Sequence, residues 1–251
     1  MRELTAAVVA LISSLGAAFA AESPDCAVAE HLVTPEYPLA HVAAAIEKTR
    51  QLDILVVGAG SSSLTGPGGM DLGYPARLQI ILTKQWPDVK TKVISNVKSR
   101  RSAAQMAQSF EKLLMEQKPA LVIWQSGTVD AIEGVDPDDY RKTVDEGVEA
   151  LQTAGADVVL MNMQYSPRTE SMIAIQAYAD NLRAVSQQRE VPLLDRFSIM
   201  RHWSEVGTFD LNAATKKLET AARIHECVAQ LLADFIRDGV KLSLEQPKPI
   251  Q

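Results

Sequence analysis

The chain has 251 residues, 47% hydrophobic and 22% charged, which supplies one sizeable buried core and excludes an intrinsically disordered protein. Its formal charge of −6, and the isolation of its one basic run at Lys98 to Arg101, exclude a nucleic-acid-binding surface.

In chain order the first element is a leader. Arg2 precedes an apolar run from about Leu4 to Leu15, and the stretch closes on the small-residue pattern Ala18-Phe19-Ala20. This is the pattern of a secretory signal peptide over residues 1–20, cleaved after Ala20. The apolar run is shorter than the roughly 20 residues a membrane span needs, so no membrane insertion is expected after cleavage. The expected location is periplasmic or secreted. In an oxidising compartment the two cysteines, Cys26 and Cys227, are expected to form one disulfide. No cysteine or histidine partners stand at ligand spacing, so no metal site is expected.

Residues 21–38 form an N-terminal extension, residues 39–240 the main domain and residues 241–251 a disordered tail. A helix over Leu39 to Gln51 leads into a strand at Ile54 to Val57. Apolar residues at helical spacing predict a helix over Tyr74 to Trp86, followed by a strand over Lys90 to Ser95. Ser102 caps a helix over residues 103–117, and Pro119 to Gln125 is an almost wholly apolar strand. Acidic residues open the next helix at Asp136 and Gly155 closes it. A strand over residues 156–164, a helix from Arg168 to Arg189, a short strand in Val191 to Phe197 and a terminal helix from Ala213 to Arg237 complete the pattern. Strand and helix alternate, and several strands lack polar alternation. The fold class is therefore α/β, a three-layer α/β/α sandwich on a five-stranded, mostly parallel sheet. Such sheets take ligands beyond the carboxyl ends of their strands.

The loop after the first strand reads Gly58-Ala59-Gly60-Ser61-Ser62-Ser63. It lacks the third glycine of a dinucleotide loop and the Gly-Lys-Ser/Thr of a Walker loop, so no cofactor is expected. What remains is a serine displayed at a strand-to-helix turn, where backbone N–H groups about Ser62 to Leu64 would receive an oxyanion.

This loop, together with Gly127-Thr128-Val129-Asp130 after the third strand, resembles the SGNH/GDSL hydrolase superfamily. The resemblance implies a flavodoxin-like SGNH-hydrolase fold and a serine ester hydrolase. Ser62 is the nucleophile it favours, with Ser61 and Ser63 as alternates, and Asp130 would hold the nucleophile loop through backbone hydrogen bonds. The departures are specific. Val129 stands where the family has an oxyanion-hole asparagine, no glycine occurs in the second block around Arg100 and Arg101, and Lys216 and Glu219 fall where the family has Asp-x-x-His. Valine donates no hydrogen bond.

A serine nucleophile needs a base that titrates near neutrality. His225, oriented by Asp210, is the first candidate, with His202 and Asp195 as alternates. Gly60, Ser63, Arg101, Gly127, Tyr165 and Arg168 are the expected substrate contacts, a set suited to a small-molecule or saccharide ester. Two functions follow: an exported esterase or deacetylase, or a catalytically degenerate periplasmic binding or accessory protein on the same fold that takes a glycan-like ligand.

Overall fold

The structure, a computed structural model, describes residues 26–64, 66–214 and 218–245. The expected leader lies outside the described residues, as do residues 246–251 of the expected tail, whereas residues 241–245 are not a disordered tail but continue the terminal helix. Five strands form one sheet: β1 (Gln51–Gly58), β2 (Lys90–Val97), β3 (Leu121–Gln125), β4 (Asp157–Met161) and β5 (Leu193–Leu194). All are parallel, in the order β2-β1-β3-β4-β5. Every residue of β3 is buried, as a strand covered on both faces requires, whereas the edge strand β2 is half-buried or exposed throughout.

The strand order reverses between β1 and β3. Right-handed crossovers then place α2 (Tyr74–Gln85) on one face and α3 (Ala103–Ala107), α4 (Phe110–Gln117), α6 (Pro137–Thr153) and α8 (Gln176–Arg189) on the other. The long terminal helix α11 (Leu218–Glu245) packs on α2 and on α1 (Ala40–Ala44). The crevice at the reversal lies beyond the carboxyl ends of β1 and β3, where an open α/β sheet binds its ligand.

Several boundaries differ from expectation, each for a local reason. The expected helix over residues 103–117 is two helices, because the Ser109 hydroxyl donates to the Met106 carbonyl at 2.6 Å and draws the backbone out of register. The expected helix after Arg168 is likewise split into α7 (Pro167–Met172) and α8, separated by the extended Ile173. The last strand is only two residues long. Asp195 caps α9 (Arg196–Glu205) by accepting the Ser198 N–H at 3.0 Å, so Arg196 and Phe197 are helical and not the end of a strand.

Cys26 and Cys227 are bonded to each other and pin the N-terminal segment to α11. The same segment is held further on by the Leu39 N–H on the Gly239 carbonyl at 3.0 Å and by the Val42 N–H on Asp157 Oδ2 at 2.9 Å. Among the described residues no helix is long and apolar enough to cross a membrane.

The β3 face is closed by Trp124, whose ring meets Phe110 edge-on at 4.8 Å between centroids and whose indole N–H points at Met106 Sδ. Helix α6 approaches this ring through Gly147, where an added Cβ would lie 2.5 Å from the Trp124 ring. Alanine has the higher helix propensity by about 1 kcal/mol, but overpacking a rigid aromatic costs about 1–3 kcal/mol. Gly147→Ala is therefore expected to lower stability by up to about 2 kcal/mol in urea unfolding, and a stabilised variant would show that the ring yields.

Candidate functional site

Beyond β1 the backbone makes a single 3-10 turn, Gly60–Ser62, which carries Ser62 inward to complete burial. The Ser62 hydroxyl donates to Gln125 Oε1 at 2.6 Å, and the Tyr74 hydroxyl reaches Ser62 Oγ at 3.5 Å. Gln125, the last residue of β3, donates its amide N–H to Ser61 Oγ at 2.6 Å. Arg196 Nη1 donates to the Ser61 carbonyl at 2.9 Å and to Gln125 Oε1 at 3.2 Å. The turn is thereby fastened to β3 and to the first turn of α9. Gly58 has to be small: an added Cβ would stand 2.2 Å from Ser62 Oγ.

The amides of the turn are engaged within it. Ser62 N–H donates to the Ala59 carbonyl at 3.0 Å, Ser63 N–H to Gly60 at 3.3 Å and Leu64 N–H to Gly69 at 3.0 Å. The donors expected to receive an oxyanion at Ser62 to Leu64 point at carbonyls of the same loop. Ser63 Oγ likewise faces the Gly60 carbonyl at 3.4 Å.

Asp130 is buried and bonds to backbone, though not to the serine turn. Its Oδ1 accepts the Ala103 N–H at 2.9 Å and its Oδ2 the Gly127 N–H at 3.3 Å. The reason is local: α5 (Thr128–Glu133) begins one residue after Gly127, so Asp130 sits in its first turn and reaches back to cap it. Burial raises the Asp130 pKa, against the pull of these amides. Gly127 has a φ of 103°, and an added Cβ there would lie 2.7 Å from Met163 Cε and 3.1 Å from the Tyr140 hydroxyl. Only glycine fits this position.

Among the described residues no histidine hydrogen-bonds to Ser61, Ser62 or Ser63. His225 is buried on α11, and its Nδ1 accepts the Tyr74 backbone N–H at 3.0 Å. Burial first, then the charges of Arg196 and Arg77, push its pKa down to about 3, so the ring is neutral at physiological pH. Tyr74 thus stands between the two expected partners, with its amide on His225 and its hydroxyl near Ser62. His202 is half-buried on α9. Asp210 is exposed and accepts the Asn212 N–H at 3.1 Å. Asp195 is occupied by the Ser198 N–H, the Asn162 amide at 2.6 Å and Arg183 at 2.5 Å. Of the two places where the family has Asp-x-x-His, Glu219 is exposed on α11 and Lys216 lies outside the described residues.

The remaining expected contacts divide between structure and rim. Arg101 is tied to Asn96 Oδ1 at 2.7 Å and to the Gln105 carbonyl and Ser109 Oγ at 2.9 Å, a clamp over the start of α3. Tyr165 is buried edge-on against Phe197, with its pKa raised by burial and by Glu170. Arg168 is exposed in α7, and Gly60 is half-buried at the mouth of the turn. Among the described residues no group of three or more His, Cys, Asp or Glu is placed to hold a metal ion. Gln125, Arg196 and Tyr74 are the residues that sequence reasoning missed. The available signal was Gln125, a polar side chain ending an otherwise apolar strand.

Fold, strand order and a serine turn after β1 together define an α/β scaffold of the SGNH/GDSL hydrolase type. A family model described as the non-GDSL lipase-like family matches residues 25–242, and the chain belongs to that family. Esterase TesA of Pseudomonas aeruginosa is 29% identical over 146 residues, spanning 57% of this chain and 70% of TesA. A crystal structure of TesA superposes with a TM-score of 0.58 at 25% identity, covering 72% of this chain and 97% of TesA. The fold is shared with esterase EstA from Pseudoalteromonas sp., at TM-score 0.55 and 18% identity over 77% of this chain and 99% of EstA. It is shared also with the acetylxylan esterase Axe2 from Geobacillus stearothermophilus, at TM-score 0.60 and 16% identity over 74% and 94% of the two chains.

Proposed function

We propose that this protein is an exported member of the esterase scaffold that holds an ester-bearing saccharide or similar small ligand at the β1–β3 crevice without hydrolysing it. The observation that carries this reading is the state of Ser62. Its hydroxyl proton is directed at the amide oxygen of Gln125, which accepts a hydrogen bond but is far too weak a base to take the proton. Among the described residues no carboxylate or imidazole bonds to it. The loop amides that would meet a tetrahedral oxyanion are closed on their own carbonyls, and the family's asparagine donor is Val129. Export is supported by the disulfide and by the leader pattern at residues 1–20.

The kinship with TesA favours a second reading, a serine ester hydrolase. It requires Ser62 to leave Gln125 and meet a base, His225 with Asp210 or His202 with Asp195, and some loop amides to open.

Fluorophosphonate labelling separates the two. With wild type and Ser62→Ala side by side, the binding reading expects no label on either and p-nitrophenyl acetate turnover at background. Acetylated xylo-oligosaccharides are still expected to raise the thermal midpoint of the wild type. A label that Ser62→Ala abolishes would establish the hydrolase.

A further inference from the structure

Arg196 is 1% exposed and is the one buried arginine or lysine among the described residues. Its neighbours are all neutral: the Ser61 carbonyl and Gln125 Oε1 on Nη1, and the Tyr74 ring, whose centroid lies 5.7 Å from the guanidinium carbon. No carboxylate among the described residues pairs with it, in contrast to Arg183 on Asp195 and Arg189 on Asp145. The two edges of the guanidinium are used unequally. Nη1 makes both hydrogen bonds, while Nε is buried without a partner and Nη2 bonds to no described residue. Burial lowers the Arg196 pKa to about 10, so the group is still a cation at neutral pH. A buried cation without a counter-charge is costly, and the unused Nε–Nη2 edge is the side-on fork that a carboxylate occupies with two parallel hydrogen bonds.

We propose that Arg196 is the ligand-recognition cation of this crevice and that the ligand it takes carries a carboxylate, as a uronic-acid saccharide does. The proposal rests on the binding reading above and narrows it. The place fits: Arg196 grips the Gly60–Ser62 turn through the Ser61 carbonyl at the strand-order reversal, and Gly60 and Ser61 of that turn are half-buried. The carboxylate enters past the turn and lies along Nε and Nη2, and the neutral body of the ligand rests on Ser61 and Ser63. Arg101 does not serve instead, because both of its terminal nitrogens are held by Asn96, Gln105 and Ser109.

The test is thermal unfolding of the full-length mature protein with sodium acetate, sodium glucuronate, sodium phosphate, glucose and neutral xylo-oligosaccharides, all at matched ionic strength. Acetate and glucuronate are expected to raise the midpoint saturably, by about 3 °C at ten times the Kd, and glucose not at all. Arg196→Met should abolish the shift, and Arg196→Lys, which lacks the fork, should weaken it at least tenfold in apparent Kd. Phosphate responding in place of the carboxylates, no anion responding, or an unchanged shift in Arg196→Met would each overturn the proposal. Neutral saccharides binding as well as glucuronate would overturn it and leave the binding reading standing. Simple carboxylates binding while no saccharide does would uphold it and remove the saccharide reading. If Arg196→Met does not fold, the Arg196 Nε–H resonance of the wild type, assigned with Arg196→Lys, decides: it moves on glucuronate titration, or the proposal is wrong.

Discussion

Replacing both Cys26 and Cys227 with alanine is expected to lower the free energy of unfolding by about 3–5 kcal/mol. The bond closes a loop with a sequence separation of 201, so the chain-entropy estimate lies near its upper end, at about 5 kcal/mol, and measured losses in comparable cases are about 2–5 kcal/mol. Both cysteines are buried, and alanine avoids the unpaired hydroxyl that serine would introduce there. The hydrogen bonds from Leu39 to Gly239 and from Val42 to Asp157 remain in the variant, so the segment stays docked and the fold persists. Guanidinium unfolding of the oxidised wild type, the reduced wild type and the double variant measures it. The last two should coincide. A loss below about 1 kcal/mol would mean that the unfolded chain is already compact enough to need no tether.

Acid should weaken the fold through His225, and the size is set by its depressed pKa. The unfolded imidazole binds a proton below about 6.5, while the buried one stays neutral down to about 3. The stabilisation is complete above pH 6.5 and is lost as the pH falls, by about 1.4 kcal/mol per pH unit, or about 2 kcal/mol by pH 5. Asp157 acts in the opposite direction. Its folded pKa is raised to about 6, chiefly by burial, so the folded state takes up a proton between about pH 6 and 4 that the unfolded chain does not. The wild-type profile is therefore flattened, and the histidine contribution emerges only by difference. His225→Asn places an amide oxygen where Nδ1 accepts the Tyr74 N–H and removes the titration. Between pH 7 and 5 the wild type should lose about 2 kcal/mol relative to this variant. Parallel profiles would show that acid opens the site before His225 matters.

The layered fold was legible because each strand carries its own signature. The four residues of β3 before Gln125 are all apolar, and the parallel sheet they imply is present with all its crossovers. Boundaries set by single side-chain hydrogen bonds were less legible. Ser109 interrupts a helix through one hydroxyl, and Asp195 turns an expected strand end into a helix cap. The site was legible only in part. Local motifs located the serine turn and Asp130, but the fate of Ser62 depends on Gln125, 63 residues away, and the turn is gripped by Arg196 from 135 residues away. No periodicity encodes such pairings. The same holds for His225, whose place in the helix after Asp210 said nothing of its attachment to a backbone amide 151 residues distant.

The bond between Cys26 and Cys227 has one further consequence, for durability. It joins the first described residue to the last helix, so all five strands and every loop at the carboxyl edge lie within one covalent ring. A protease that nicks any single peptide bond between the two cysteines, such as one in the exposed glycine-rich loop after Ser63, opens the ring without releasing a fragment. The two pieces remain one molecule and rejoin at the effective concentration of a tethered pair. Release takes a second cut or a reductant, so proteolytic damage to this chain counts in pairs.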